Sequence, residues 1–130
     1  MAIKYRITRR KNTMDPDSKE VYIMQAVGHT EVGLRRLAYE ISNMSTHTEG
    51  DVYGVLIMLV KQLKFHLADG ETVALDDLGR FKITFKSDTA DNPTLLGKKS
   101  VKKYGVNFLP SIAFKRWMKT ELEVVPEKVK

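Results

Sequence analysis

The chain contains a cluster of positively charged side chains that could bind another molecule. The formal net charge is +6, and residues 98–119 hold basic side chains without any acidic one. The basic residues of that segment are Lys98, Lys99, Lys102, Lys103, Lys115, Arg116 and Lys119. A localised basic excess is typical of a surface that binds a polyanion. The alternative is a solvated, lysine-rich surface without a ligand.

Residues suited to catalysis or metal binding show no comparable pattern. The chain has no cysteine, which excludes disulfides and thiolate zinc sites and favours an intracellular protein. His29, His47 and His66 are scattered, without the spacing of metal ligands. Asp76 and Asp77 are adjacent in a predicted turn, where two carboxylates rarely converge. With no phosphate-binding glycine loop or nucleophile elbow either, we expect no enzyme, metal, cofactor or small-molecule substrate.

The distribution of apolar residues predicts one soluble domain. The longest apolar run, Val55–Val60, is far shorter than the roughly 20 residues that a membrane helix requires. The N-terminus lacks the apolar core of a signal peptide. We therefore expect a cytoplasmic protein without a membrane partner.

The stretch Thr72–Phe85, TVALDDLGRFKITF, predicts a strand, a tight turn and a second strand. Apolar and polar residues alternate on both sides of the turn, as they do in half-buried strands. Gly79 supplies the backbone freedom that such a turn often needs.

Two helices are predicted before this hairpin. The first begins at Thr30-Glu31 and ends near Ser42–Asn43. The second begins at a capping box, either Thr48 with Asp51 or Thr46 with Glu49, and ends at Asp69-Gly70. Its apolar face comprises Val52, Val55, Leu56, Leu59, Val60, Leu63 and Leu67. Because Ile57 and Met58 widen that face, the helix needs burial on more than one side, which suggests a dimer core.

The remaining segments predict an arm, a last helix and an N-terminal hairpin or pair of strands. Residues 86–100 are polar and include Asn92-Pro93, which favours an exposed arm or loop. Residues 100–109 can return as a strand, and Pro110 suits the first turn of a helix. Residues 2–10 and 20–28 are β-favouring and flank a turn-rich segment. Residues 124–130 are expected to be a loose tail.

The order of these elements resembles the bacterial histone-like HU/IHF family of DNA-bending proteins from about residue 30 to residue 122. Leu78-Gly79-Arg80-Phe81 fits the family's turn, Asn92-Pro93 its arm tip, and Phe108-Leu109-Pro110 the entry to its last helix. Residues 1–29 have no counterpart in a standard member. With Asp77 in place of the usual first turn glycine, they resemble a divergent HU-related branch that carries an N-terminal strand extension.

The resemblance implies an α+β fold and a partner. The fold would have two N-terminal helices, an antiparallel sheet with a long β-arm and a C-terminal helix. The divisions are an N-terminal β extension (1–29), an HU/IHF-like domain (30–123) and the tail (124–130). The implied protein is an intertwined, nucleoid-associated homodimer that binds, bends and condenses duplex DNA with little sequence specificity.

The family's functional residues carry over by position. Pro93 would be the wedge between base steps, and the lysines of residues 98–103 would line the returning arm. The DNA-binding residues implied in this way are Arg80, Lys82, Lys86, Asn92, Pro93, Lys98, Lys99, Lys102, Lys103, Lys115 and Arg116. The dimer interface or core would comprise Leu56, Leu59, Val60, Leu63, Phe81, Phe108, Phe114 and Trp117.

The outgoing arm departs from the family. Residues 86–91, KSDTAD, carry one lysine and two aspartates where the family is rich in arginine. This favours a second hypothesis, an HU-like structural or protein-interaction module with weak or no DNA binding. An RNA-binding module is a third hypothesis, against which the absence of clustered aromatics argues.

Overall fold

The computed structural model describes residues 2–11, 14, 17, 19–28 and 30–127. Within them the chain is a mixed α+β protein, as predicted. Its elements are β1 (Ile3–Arg10), β2 (Val21–Ala26), α1 (Leu34–Asn43), α2 (Glu49–Ala68), β3 (Val73–Ala74), β4 (Gly79–Ser87), β5 (Val101–Pro110), α3 (Ile112–Glu121) and β6 (Val124–Pro126). Short 3-10 turns span Pro93–Leu95 and Lys98–Ser100. Two compact units result: Met1–Glu31 with Trp117–Lys130, and Val32–Arg116.

The first unit is built on a sheet with the strand order β2-β1-β6. The predicted N-terminal hairpin forms, with β1 antiparallel to β2. The expectation of a loose C-terminal tail is wrong for Val124–Pro126, because β6 pairs parallel with β1. The Ile3 N–H donates to the Glu123 carbonyl at 2.9 Å, and the Glu127 N–H donates to the Tyr5 carbonyl at 2.9 Å. Residues 128–130 of the predicted tail lie outside the described residues.

This arrangement also changes the predicted divisions. The sequence separates residues 1–29 from residues 124–130, whereas the fold groups both ends of the chain in one unit. The reason is the pairing of β1 with β6, which joins residues far apart in sequence.

The second unit begins with a helical hairpin. Helix α1 starts at Leu34 rather than at Thr30-Glu31, and extended Gly33 occupies its N-cap position. Glycine and the β-branched Val32 are weak helix formers, so the helix begins after them. Of the two predicted starts of helix α2, the one at Thr48 forms, because the Asp51 N–H donates to Thr48 Oγ1 at 3.2 Å.

A strand, turn and strand follow α2, as the alternating pattern predicted. Strand β4 pairs antiparallel with both β3 and β5. The Leu75 N–H donates to the Gly79 carbonyl at 2.8 Å, and the Leu78 N–H donates to the Leu75 carbonyl at 2.8 Å. Gly79 has φ +148°, and a Cβ there would lie 2.3 Å from the Leu109 carbonyl oxygen. Glycine is therefore required at this position for both reasons.

The entry into α3 differs from the prediction. Pro110 is the last residue of β5, opposite Gly79, and does not lie in the first turn of the helix. A proline is tolerated there because β5 is at the edge of its sheet and needs no further N–H donor. Ser111 caps the helix instead, since its Oγ accepts from the Phe114 N–H at 3.0 Å.

Little of the apolar surface is buried within one chain. Among the described residues, Ala38 and Val52 are the only buried apolar side chains. Of the predicted interface or core residues, the half-buried ones are Leu56, Leu63, Phe81 and Phe114, and the exposed ones are Leu59, Val60, Phe108 and Trp117. In the part of the chain described, no helix is long and apolar enough to cross a bilayer.

Candidate nucleic-acid interface

Strands β4 and β5 form a ribbon with two unlike faces. Side chains alternate along a strand, and residues directly opposite each other share a face. In the observed register Lys82 lies opposite Asn107, and Lys86 lies opposite Lys103. One face therefore carries Arg80, Lys82, Lys86 and Lys103, which we call the basic face. The other carries Phe81, Ile83, Phe85, Tyr104, Val106 and Phe108, which we call the apolar face.

The basic face is exposed and concentrates positive charge. All four of its cationic side chains are exposed. The Cβ atoms of directly opposed residues lie about 5 Å apart, so Lys86 and Lys103 bring two ammonium groups together. Within the described residues neither lysine forms a salt bridge with a carboxylate. An anion that contacts both groups would remove the repulsion between them.

Lys102 does not join the basic face. The register of the ribbon shifts between Lys86 and Ser87, and Ser87 pairs with Val101, which leaves Lys102 as the extra residue of the irregularity. The Lys102 Nζ lies 3.2 Å from Asp88 Oδ1, an ion pair that offsets its charge. Four lysines were expected to line the returning strand, and of these Lys103 lies on the basic face, opposite Lys86.

Lys98 and Lys99 precede the returning strand. They lie in the 3-10 turn Lys98–Ser100, and β5 starts at Val101. The Gly97 N–H donates to Ser100 Oγ at 3.0 Å and closes this turn. Their side chains are exposed at the end of the arm, beyond the paired part of the ribbon.

The arm tip is a second local structure. The Asn92 side-chain oxygen accepts from the Thr94 N–H at 3.1 Å and from Thr94 Oγ1 at 3.0 Å. This caps the 3-10 turn in which Pro93 is the first residue. Pro93 is exposed, and the Leu95 side chain is 69% exposed. Leu95 is not among the predicted site residues, because a single exposed leucine is common on protein surfaces and gives no specific signal in the sequence.

Two predicted contacts lie outside the ribbon. Lys115 and Arg116 belong to α3 and are exposed, and they are not part of the basic face.

As for metal binding, no group of three or more His, Cys, Asp or Glu side chains within the described ranges could hold an ion.

Comparison with known proteins places these features in a family context. Residues 1–124 match the family model HU-HIG, described as an HU domain fused to a wHTH, Ig or glycine-rich motif. The fold is similar to that of a candidate DNA-binding protein from the bacterium Bacteroides vulgatus ATCC 8482, with a TM-score of 0.68 and 12% sequence identity. The similarity covers 99% of this chain and 50% of the other, so this chain spans half of that protein's length. No curated protein matches the sequence.

Proposed function

This chain belongs to the HU-HIG family of HU domains fused to other motifs, and on that premise we propose that it binds duplex DNA through the basic face. The observation that carries the proposal is the opposition of Lys86 and Lys103. Like charges directly opposite each other destabilise a sheet. A polyanion bound to the basic face would remove the repulsion between the two lysines, and this would favour binding.

The geometry of the basic face suits a phosphate backbone. Arg80 and Lys82 are two residues apart on β4, so their side chains leave the strand roughly 6.6 Å apart. Such a row can contact phosphates along one DNA strand without reading bases. Neutralising phosphates releases counterions, which gives salt-dependent affinity with little sequence specificity. Binding of this kind would make the protein cytoplasmic and nucleoid-associated.

The arm tip supplies the candidate for DNA bending. Proteins that bend DNA through the minor groove insert apolar side chains between base steps. Pro93 and Leu95 are exposed apolar residues on one short, capped turn. We assign them the role of the wedge, with Asn92 fixing the turn by its hydrogen bonds to Thr94.

The apolar surface that the chain leaves exposed supports the proposal of a homodimer. On α2, Val55 and Phe65 are 59% and 66% exposed, and on the apolar face Tyr104 and Val106 are 69% and 63% exposed. Soluble monomers rarely leave large apolar patches exposed. A second copy that covers α2 and the apolar face would complete a core and would present two basic ribbons to one duplex.

One observation favours the second candidate, an HU-like structural module with weak DNA affinity. The Asp88 carboxylate offsets the charge of Lys102, and Asp91 lies two residues before Pro93. Both reduce the positive potential of the arm. In this alternative the dimer is kept and the ribbon contributes little to polyanion binding.

Fluorescence anisotropy with a labelled duplex separates these candidates. The variant Lys82→Gln/Lys86→Gln/Lys103→Gln is expected to bind at least about tenfold more weakly than the native chain. The control Lys4→Gln/Lys11→Gln/Lys19→Gln loses the same charge outside the ribbon and outside α2. Its affinity is expected to stay within about twofold of the native affinity. These fold-changes correspond to about 1.4 and 0.4 kcal/mol. An equal reduction of affinity in both variants would refute the basic face as the binding site.

A further inference from the structure

The outer strand of the N-terminal sheet, β2, is an edge without the usual protection. Val21–Ala26, VYIMQA, contains no charged residue and no proline. Edges that must stay single normally carry charges, proline or a bulge. The opposite edge shows such devices: β6 is three residues long, contains Pro126 and is flanked by Glu123 and Glu127.

The register identifies which backbone groups of β2 face outward. The Val27 N–H donates to the Lys4 carbonyl at 2.9 Å, and the pairing continues with Gln25 opposite Arg6 and Ile23 opposite Thr8. Hydrogen-bonded pairs alternate along an antiparallel ladder. The backbone groups of Ile23 and Gln25 therefore point to β1. Those of Tyr22, Met24 and Ala26 point away from it, and no described residue forms a hydrogen bond with them.

The same three residues place apolar side chains on one face of the sheet at this edge, where Arg9 lies opposite Tyr22. Met24 lies opposite Ile7 and Ala26 opposite Tyr5, so their side chains share one face. Tyr22 is 67%, Met24 58% and Ile7 61% exposed. Outward-pointing backbone groups and exposed apolar side chains thus occur on the same residues, which is the combination that strand addition uses.

We propose that β2 pairs with β2 of a second copy of this chain, antiparallel across a two-fold axis at Met24. A two-fold axis perpendicular to the N-terminal sheet leaves each face of that sheet on the same side in both copies. The side chains of Tyr22, Met24 and Ala26 from the two copies therefore lie on one side of the joint sheet. Met24 then pairs with Met24, and Tyr22 pairs with Ala26. All outward backbone groups of the strand are used, and three strands from each copy form one sheet.

The charges beside the strand permit this pairing with a second copy. In the proposed register Glu20 lies opposite Gly28, so no like charges meet across the axis. The Glu20 carboxylate is already engaged by Arg9 at 3.3 Å within its own chain. An isologous contact requires such a self-complementary patch. The contact uses residues 20–28 and is separate from α2 and the apolar face of the ribbon, so it links HU-type dimers into larger assemblies.

Amide hydrogen exchange on the unmodified protein tests the pairing directly. The N–H groups of Tyr22, Met24 and Ala26 are expected to be protected at high protein concentration and to lose protection on dilution. The Val27 N–H, bonded to Lys4 within the chain, is the internal control and stays protected at both concentrations. Rapid exchange of the three outward amides at high concentration, with Val27 protected, would overturn the proposal.

Site-directed crosslinking gives a second test that does not depend on DNA affinity. The chain has no cysteine, so Met24→Cys introduces a single thiol. In a hydrogen-bonded pair the Cα atoms lie about 5.5 Å apart, a separation that a disulfide spans. Met24→Cys is expected to form covalent pairs under mild oxidation, whereas Val125→Cys on the opposite edge is not. Equal crosslinking of both variants, or none at position 24, would contradict the proposal.

Discussion

Lys86 and Lys103 lie directly opposite each other where β4 and β5 run side by side. In a free protein this juxtaposition costs stability, because both side chains carry a positive charge on the same face. Proteins often contain locally destabilising arrangements at functional sites, where a bound ligand can offset the loss of stability. If DNA binds the basic face as proposed, the pair would link the stability of the ribbon to the presence of a polyanion.

Replacing Lys103 by glutamine separates these two effects. We expect Lys103→Gln to raise the free energy of unfolding of the DNA-free protein by about 0.2–1 kcal/mol, because the repulsion between like charges is removed. The same variant is expected to bind duplex DNA more weakly. Thermal unfolding and anisotropy measure the two quantities. Lys102→Gln is the control, because its ammonium pairs with Asp88, and it should give no gain in stability. A less stable Lys103→Gln protein would contradict the assignment.

The wedge at the arm tip is tested by DNA bending. Pro93→Ala/Leu95→Ala is expected to reduce the bend angle measured by energy transfer between dyes at the two ends of a duplex. Its salt dependence of binding should be unchanged, because the residues contact no phosphate. Thr89→Ala in the same arm serves as the control. A native bend angle with the double variant would remove the wedge from the mechanism.

Gly79 is expected to be the least replaceable glycine of the described chain. Gly79→Ala forces a residue with a Cβ into φ +148°, with the Leu109 carbonyl 2.3 Å away. We expect a decrease of at least about 1–3 kcal/mol in the free energy of unfolding. Gly50→Ala is the control, since a Cβ there meets nothing within 4 Å, and its stability should be equal or slightly higher. If Gly79→Ala and Gly50→Ala have similar denaturation midpoints, glycine is not required at position 79.

The ion pair beside β6 should weaken in acid. Arg6 donates two hydrogen bonds to the Glu127 carboxylate, at 2.9 and 3.0 Å, and this lowers the pKa of Glu127. A carboxylate with a lowered pKa contributes stability that is present above its unfolded-state pKa and is lost as the pH falls through its folded-state pKa. Chemical shifts of Val124 and Val125 should therefore change at a pH below about 4.3.

Glu127→Gln is the matched control for that titration. It keeps the backbone hydrogen bond from residue 127 to the Tyr5 carbonyl but removes the titrating group. We expect the acid-dependent change at Val124 and Val125 to disappear in this variant. If the chemical shifts of Val124 and Val125 change at the same pH in both proteins, a group other than Glu127 causes the change.

The parts of the fold that sequence predicted are those with local causes. The strand, turn and strand around Gly79 follow from alternation over consecutive residues, and the start of α2 follows from the Thr48 side chain and the Asp51 amide. The start of α1 was misplaced, because Thr30 has cap chemistry but Gly33 occupies the N-cap position. Cap residues indicate where a helix can begin, not which of several sites it uses.

The parts that sequence missed depend on interactions between distant residues. Strand β6 is too short to show a periodic pattern, and it forms because β1 offers a parallel edge. The pairing of Lys102 with Asp88 depends on the register irregularity in the ribbon, which spacing alone does not reveal. The sequence shows that the basic residues form one stretch of chain. Their division between an exposed face and an ion pair required the structure.

The salt dependence of duplex affinity is the first test of whether the protein binds DNA through phosphate contacts. We expect the logarithm of the binding constant to fall with the logarithm of salt concentration with a slope equivalent to about four or more phosphates, at roughly −0.9 each. For Lys82→Gln/Lys86→Gln/Lys103→Gln the slope should be shallower by about 0.9 for each phosphate that the variant no longer neutralises. No binding by the native protein at about 50 mM salt, a concentration at which phosphate binding is strong, would contradict the account.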